Sequence, residues 1–296
     1  MNDILKDDIE VDEAKLFAPN DHNGFGTTTD HMTKHSASRL EDGSSYPILF
    51  TAPHAIVQWR EGERKEQDDY TGAIALTLAG LTGGHALAMS GNPTGDPMKP
   101  TTTDSKGDDH PFKKEIMKYK ADQGVRLVFD LHGIGTKTAE ENKCDIGLGL
   151  GSLPNTGSGV LARAIKKTGE KLDLQVKVGF KAFAALQRST VTTFCTAKGL
   201  YAIQVEMAPC LRFGPDEEKR IKLLQLLATV ALDMLPLLNT LDQLNDWTST
   251  CHPARYFSNS ALMPGQVKVP SGDQRLGLQA DISTAIARCD SKIPDL

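Results

Sequence analysis

The sequence predicts an α/β protein, a sheet with helices on both faces. Three observations carry that expectation. Apolar runs of strand length alternate with stretches of helix length from residue 46 to about residue 235. The strand runs are continuously apolar rather than alternating, as in sheets covered on both faces. A chain of 296 residues also suits one large α/β domain as well as two smaller ones, at roughly 150 residues per domain.

The elements follow in order. Residues 47–52 (PILFTA) read as a buried strand opening into a loop at Pro53 and His54, and a charged loop covers 58–67. Asp68 then stands as the cap of a helix whose Ile74, Leu76, Leu78 and Leu81 form a broad apolar face, and Gly83 with Gly84 stops it. A second short strand covers 85–90. The Gly-, Pro-, Thr- and Asp-rich stretch 91–109 reads as a loop longer than a connection requires. A helix over 110–124 precedes the strand 125–129, which ends in Asp130-Leu131-His132-Gly133. A strand over 145–150, a helix over 158–171, a strand over 200–205 ending at Glu206, and a long helix over about 215–235 complete the core. No internal repeat is present.

Domain boundaries follow from composition. Residues 1–45 form an acidic polar segment, expected as an arm, with one short element at most near 9–17. Residues 46–250 are the α/β domain. Residues 251–296, punctuated by Pro and Ser, are a C-terminal extension expected to pack on it, with a short helix near 282–288.

Charge and composition exclude several functions. The net charge is −5, from 33 basic and 38 acidic side chains. Residues 1–45 hold 4 basic and 10 acidic groups, net −6, which leaves 29 basic and 28 acidic beyond them, net +1. Neither part carries the basic excess that a nucleic-acid partner requires. The longest apolar stretch, 223–238, is interrupted by Gln225, Asp233 and Pro236 and falls short of the ~20 residues of a membrane span, so no membrane partner is expected. The N-terminus lacks the basic and apolar regions of a signal peptide. Five cysteines, none in a CxxC pair, fit reduced thiols in a cytoplasm.

Three strands deliver a polar, metal-competent or acidic residue at the C-terminal edge, where α/β sheets bind ligands: His54, His132 and Glu206. Asp130, two residues before His132, is a candidate to orient its ring. The acid that would join the two histidines is open among Glu61, Glu63, Asp68 and Asp69. Asp68, in the first turn of the following helix, is favoured on position, with helix capping as its other reading and Glu61 as runner-up. Two nitrogens and a carboxylate leave a tetrahedral zinc one open position for water. Glu206, ending an apolar strand, suits a general base, with an ion pair to Arg212 as the structural alternative.

These residues lie in motifs that resemble the N-formylglutamate amidohydrolase family: PHA at 53–55, REG at 60–62, K-x-x-D-x-x-TG at 65–72, GDP at 95–97, HPFK at 110–113, DLHG at 130–133, DIGLG at 145–149, and QVEM at 204–207 with Arg212. The resemblance spans about residues 46–215. It implies a zinc-carboxypeptidase-like hydrolase fold, a three-layer α/β/α sandwich around a mixed, mostly parallel sheet, with one zinc held by His54, an acid best matched by Asp68, and His132, and Glu206 as base. Zinc peptidases of this fold place their acid three residues after the first histidine, and here that position is Val57. A dicarboxylate substrate needs cationic forks, for which Arg212, Arg60 and Arg188 are the candidates, with His110 and Lys113 as further anion contacts or as a helix cap. Cys195 and Cys210 are expected to be structural thiols.

The expected function is therefore a cytoplasmic metal-dependent amidohydrolase on a small anionic acyl-amino acid or γ-glutamyl substrate. A zinc peptidase or poly-γ-glutamate depolymerase on the same site is the alternative within enzymes. A binding or regulatory protein with a vestigial metal site is the alternative outside them, suggested by Val57.

Overall fold

The computed structural model describes residues 32–36, 45–60, 63–90, 108–179, 183, 185–187, 189–213 and 216–242, with 58–60 and 63–65 as backbone. The elements expected near 9–17 and 282–288, most of the 91–109 loop, the C-terminal extension, Glu61 and Arg188 lie outside the described residues.

In chain order the strands are β1 (Met32–Ser36), β2 (Ile48–Ala52), β3 (Gln58–Arg60), β4 (Glu63–Lys65), β5 (His85–Met89), β6 (Leu127–Gly133), β7 (Ile146–Gly149), β8 (Val176–Val178) and β9 (Tyr201–Met207). The helices are α1 (Thr71–Thr82), α2 (Pro111–Gln123), α3 (Thr136–Asn142), α4 (Thr156–Lys171), α5 (Val191–Ala197), α6 (Pro209–Arg212) and α7 (Glu217–Met234).

Seven strands form the central sheet in the order β1-β5-β2-β6-β9-β7-β8. Four of its six pairings are parallel, and β1–β5 and β7–β9 are antiparallel. The sheet is thus mixed and mostly parallel, flanked by helices, as its apolar strand runs require. β2 and β5 are buried throughout, and Phe50 stacks on Phe129 with ring centroids 5.1 Å apart. α1 and α4 both pack on α7. α5 lies against β6 and β9, and α2 reaches it through Lys113, whose Nζ donates to Ser189 O at 2.6 Å and stands over the Phe194 ring.

The helix boundaries follow local chemistry. Gly83, at φ 73°, ends α1 in the left-handed conformation, its N–H donating to Ala79 O. Asp216 caps α7 by accepting from Lys219 N, and Glu217 and Glu218 occupy the first turn, the positive end of the helix dipole. The stretch Glu217–Asp242 is long and apolar enough to cross a membrane by length and composition. Its Leu223, Leu226, Leu227 and Val230 are buried in the core, which accounts for that apolarity.

Several elements differ from expectation. The charged stretch 58–67 contains the antiparallel hairpin β3–β4. α3, β8, α5 and α6 were not foreseen as separate elements. Met32–Ser36, within the segment expected as an arm, forms the edge strand of the sheet against β5.

The chain leaves β2 toward β5 on one side and returns to β6 on the other. The switch in direction therefore falls between β2 and β6, which is where open α/β sheets bind ligands beyond the strands' carboxyl ends. β9 runs parallel beside β6, so the carboxyl ends of β2, β6 and β9 share that edge.

Candidate metal centre

The three residues expected at the strand ends meet there. His54 lies two residues past β2, and His132 is the penultimate residue of β6. Glu206, penultimate in β9, is the register partner of His132. Asp68 supplies the acid. Its Oδ2 lies 3.5 Å from His54 Nδ1 and 3.4 Å from His132 Nδ1. The two rings stand edge to face with centroids 4.9 Å apart. One donor atom from each of His54, Asp68 and His132 falls within 4.8 Å of the other two. Two imidazole nitrogens and a carboxylate oxygen converging in this way fit a divalent transition metal.

Local backbone geometry explains why Asp68 is available. Its N–H donates to His54 O at 2.8 Å, which pins the two segments together. The expected capping role does not occur: the N-cap of α1 is Tyr70, with no side-chain cap bond. Asp68 instead serves the helix through its carbonyl, which accepts from Thr71 N and Thr71 Oγ1. Tyr70 adopts φ 66°, a left-handed conformation unfavourable for a non-glycine residue. The turn that holds this strain points the Asp68 carboxylate away from the helix and toward the histidines. Phe213 stacks on the Tyr70 ring at 5.9 Å.

A fully buried carboxylate supports His132 from behind. Asp130 Oδ2 lies 3.3 Å from His132 Nε2, within electrostatic contact but off the line of a good hydrogen bond. Asp130 Oδ1 accepts from Thr51 Oγ1 at 3.0 Å, and Oδ2 accepts from Thr192 Oγ1 at 2.9 Å. In the neutral ring that a metal would bind, a proton on Nε2 toward Asp130 leaves the Nδ1 lone pair on the side of Asp68.

The charges sort themselves accordingly. Burial alone would raise the Asp68 pKa, but the two histidines outweigh it and hold the carboxyl well below the usual range. Burial disfavours the His132 imidazolium, yet Asp130, Asp68 and Glu206 together hold its pKa well above 6.5. Glu206 is shifted upward, chiefly by burial, with His132 opposing. Gln204, on the same face of β9, donates from Nε2 to Glu206 Oε1 at 2.7 Å and fixes the orientation of that carboxylate.

The remaining expected residues are placed as follows. His110 is buried and caps α2, its Nδ1 accepting from Phe112 N at 3.1 Å. Arg212 is buried behind Gly133, against main-chain carbonyls. Arg60 lies on β3, beside the hairpin turn. Cys195 is fully buried, and burial raises its thiol pKa; Cys210 is partly buried near Asp145. Both are free.

Three supporting residues were not singled out from the sequence. Gln204 had a signal, since it alternates with Glu206 on one strand face. Thr51, the polar residue in an apolar strand, had a weaker one. Thr192 had none, because its helix was not recognised.

No family model and no curated protein matches the chain. Among solved structures it is similar to N-formylglutamate amidohydrolase from Ralstonia eutropha JMP134, at 15% identity over 70% of this chain and 98% of that one, with a TM-score of 0.47. It is similar to a bacteriophage poly-gamma-glutamate hydrolase at 12% identity, over 72% of this chain and 93% of that one, with a TM-score of 0.42. A metallo-carboxypeptidase from Pseudomonas aeruginosa is similar at 14% identity, over 70% of this chain and 61% of that one, with a TM-score of 0.38.

Proposed function

We propose that this protein is a zinc-dependent amidohydrolase that cleaves a small anionic N-acyl amino acid, N-formylglutamate or a γ-glutamyl amide being the type. The observation that carries the reading is the convergence of His54, Asp68 and His132 within 4.8 Å, with Glu206 in register beside His132. A partly buried acid beside a metal-competent triad is the arrangement of a hydrolytic centre, whereas a structural site closes its coordination with a fourth protein ligand. Zinc held there supplies a Lewis acid that polarises a carbonyl and acidifies water. Glu206 takes the proton of the attacking water and passes it to the leaving nitrogen as the C–N bond breaks. Gln204, donating to Glu206 Oε1, holds the carboxylate in place for that exchange.

The substrate class rests on the sequence motifs and on charge. Beyond residue 45 the chain is net +1, which tolerates a dicarboxylate. Arg60, on the hairpin preceding Asp68, and Arg188 are proposed as its cationic contacts. A peptidase or poly-γ-glutamate depolymerase would use the same centre. Against a vestigial site, Asp68 supplies the acid that Val57 cannot. Free Cys144, Cys195 and Cys210 support a cytoplasmic location.

Metal analysis of the purified chain tests the reading. About one equivalent of zinc per chain is expected. Less than about a tenth of an equivalent, with no hydrolysis of N-formylglutamate or γ-glutamyl amides on adding metal, would sink it. Glu206→Gln is expected to keep its zinc and lose on the order of 10²-fold or more in rate.

A further inference from the structure

We propose that Arg212 is a positioning residue that sets the spacing of the metal centre. The catalytic consequence rests on the hydrolase reading above, and the geometry does not. Arg212 stands in α6, directly after β9, and its residue surface is 5% exposed. Each of its three nitrogens donates to a main-chain carbonyl. Nε reaches Met207 O at 3.1 Å, Nη1 reaches Asp69 O at 2.6 Å, and Nη2 reaches Ile134 O at 3.3 Å.

Those carbonyls belong to three segments that run separately through the chain. Met207 directly follows Glu206, Asp69 directly follows Asp68, and Ile134 stands just beyond His132 and Gly133. One rigid planar cation thus touches the backbone next to the base and next to two of the three metal-competent residues. A guanidinium carries its donors in a fixed fork, so three simultaneous bonds fix the segments relative to one another as well as to the side chain. A lysine ammonium, a single point on a flexible stem, cannot span them.

Gly133 completes the device. A Cβ at this position would lie 2.5 Å from Arg212 Cζ and 2.7 Å from each Nη. The absence of a side chain is what lets the guanidinium plate lie on the β6 backbone between His132 and Ile134. The Phe213 ring, 5.0 Å from Cζ, stands near the cation as well. Gripping a substrate carboxylate would instead make Arg212 a binding group whose loss leaves the metal centre intact. The two roles therefore separate in experiment.

The test compares the full-length wild type with R212K, R212A, G133A and the double variant R212A/G133A. Zinc affinity is measured by competition with a chromophoric chelator, and stability by urea unfolding. R212K is expected to weaken zinc binding by about 10- to 100-fold, the usual effect of losing a group that orients metal ligands. G133A should reproduce that loss without removing a charge, and its effect on stability should shrink in R212A/G133A, where the colliding side chain is gone. With an amide substrate, R212K should lower kcat while KM changes little. Zinc affinity within about twofold of wild type in R212K, or a rise in KM alone, overturns the proposal and assigns Arg212 to substrate. Full additivity of G133A and R212A in stability also overturns it. If the wild type binds no zinc, the hydrolase reading fails, and the stability coupling between positions 133 and 212 still decides the brace. Should R212A fail to fold, R212K against G133A carries the comparison.

Discussion

Replacing Asp130 by asparagine probes the part of the centre most sensitive to one atom. The wild-type carboxylate is fully buried, takes one hydroxyl donor on each oxygen, and faces His132 Nε2 at 3.3 Å. An asparagine amide has one acceptor oxygen and one donor nitrogen. With the nitrogen at the Oδ2 position, it opposes the Nε2 proton of His132, and the ring must move that proton to Nδ1, the atom that faces Asp68. With the nitrogen at the Oδ1 position, Thr51 must reverse its hydroxyl and His132 keeps only a neutral acceptor. At 3.3 Å and off the line of a hydrogen bond, the carboxylate acts on the ring through its charge, which the amide lacks. Losing such an outer partner of a metal-ligating histidine weakens metal binding by about 10- to 100-fold, or about 1.4–2.8 kcal/mol. Chelator competition near neutral pH measures it, with circular dichroism confirming the fold. Thr192→Val, which removes one donor but keeps the charge, should fall between wild type and Asp130→Asn. Zinc affinity within twofold of wild type in Asp130→Asn, in a folded protein, would refute the role given to Asp130.

Other consequences follow from the same geometry. Gln204→Leu removes the donor to Glu206 and should lower kcat by about tenfold or more with zinc content unchanged; an unaltered kcat would free Glu206 from that partner. Gly147→Ala places a Cβ 2.4 Å from the buried Phe183 ring beside the Glu206 row, and a destabilisation of about 1–3 kcal/mol is expected in urea unfolding. No loss there would mean that the ring moves aside freely. His85, fully buried with Nδ1 2.8 Å from Ser36 Oγ, is held below the ordinary 6.5 by burial and by His35. Below that pH the unfolded chain binds a proton that the folded one resists, so stability is present above pH 6.5 and is lost as the pH falls. Unfolding curves between about pH 5 and 8 should show a shallower dependence in His85→Gln, and equal slopes would contradict the assignment.

The strand ends show how far local patterning reaches. The continuous apolar runs announced buried parallel strands, and a polar residue at the end of each marked His54, His132 and Glu206. Period-two spacing already put Asp130 with His132 on a common face; the same spacing between Gln204 and Glu206 became informative only in the folded chain. Glu61 and Asp68 could not be separated in that way, because both follow His54 through a polar stretch without periodicity. The bond from Asp68 N to His54 O and the left-handed turn at Tyr70 belong to the folded chain alone. α5 escaped notice because its Val-Thr-Thr start is β-branched and has weak helical propensity; its packing on β6 and β9 holds it in place. β1 escaped for a related reason, being a short polar strand whose partner, β5, lies far along the chain.

The sequence by itself therefore determined the layers, the edge of the sheet where the candidate site lies, and the residue types at that edge, because hydrophobic periodicity and strand-end position are local properties. Only the tertiary structure decided that Asp68 joins the two histidines, that Thr51 and Thr192 hold Asp130, and that Arg212 spans three segments. Those relations depend on register and on the crossing from β2 to β5 and back to β6, which bring together residues that no local pattern connects.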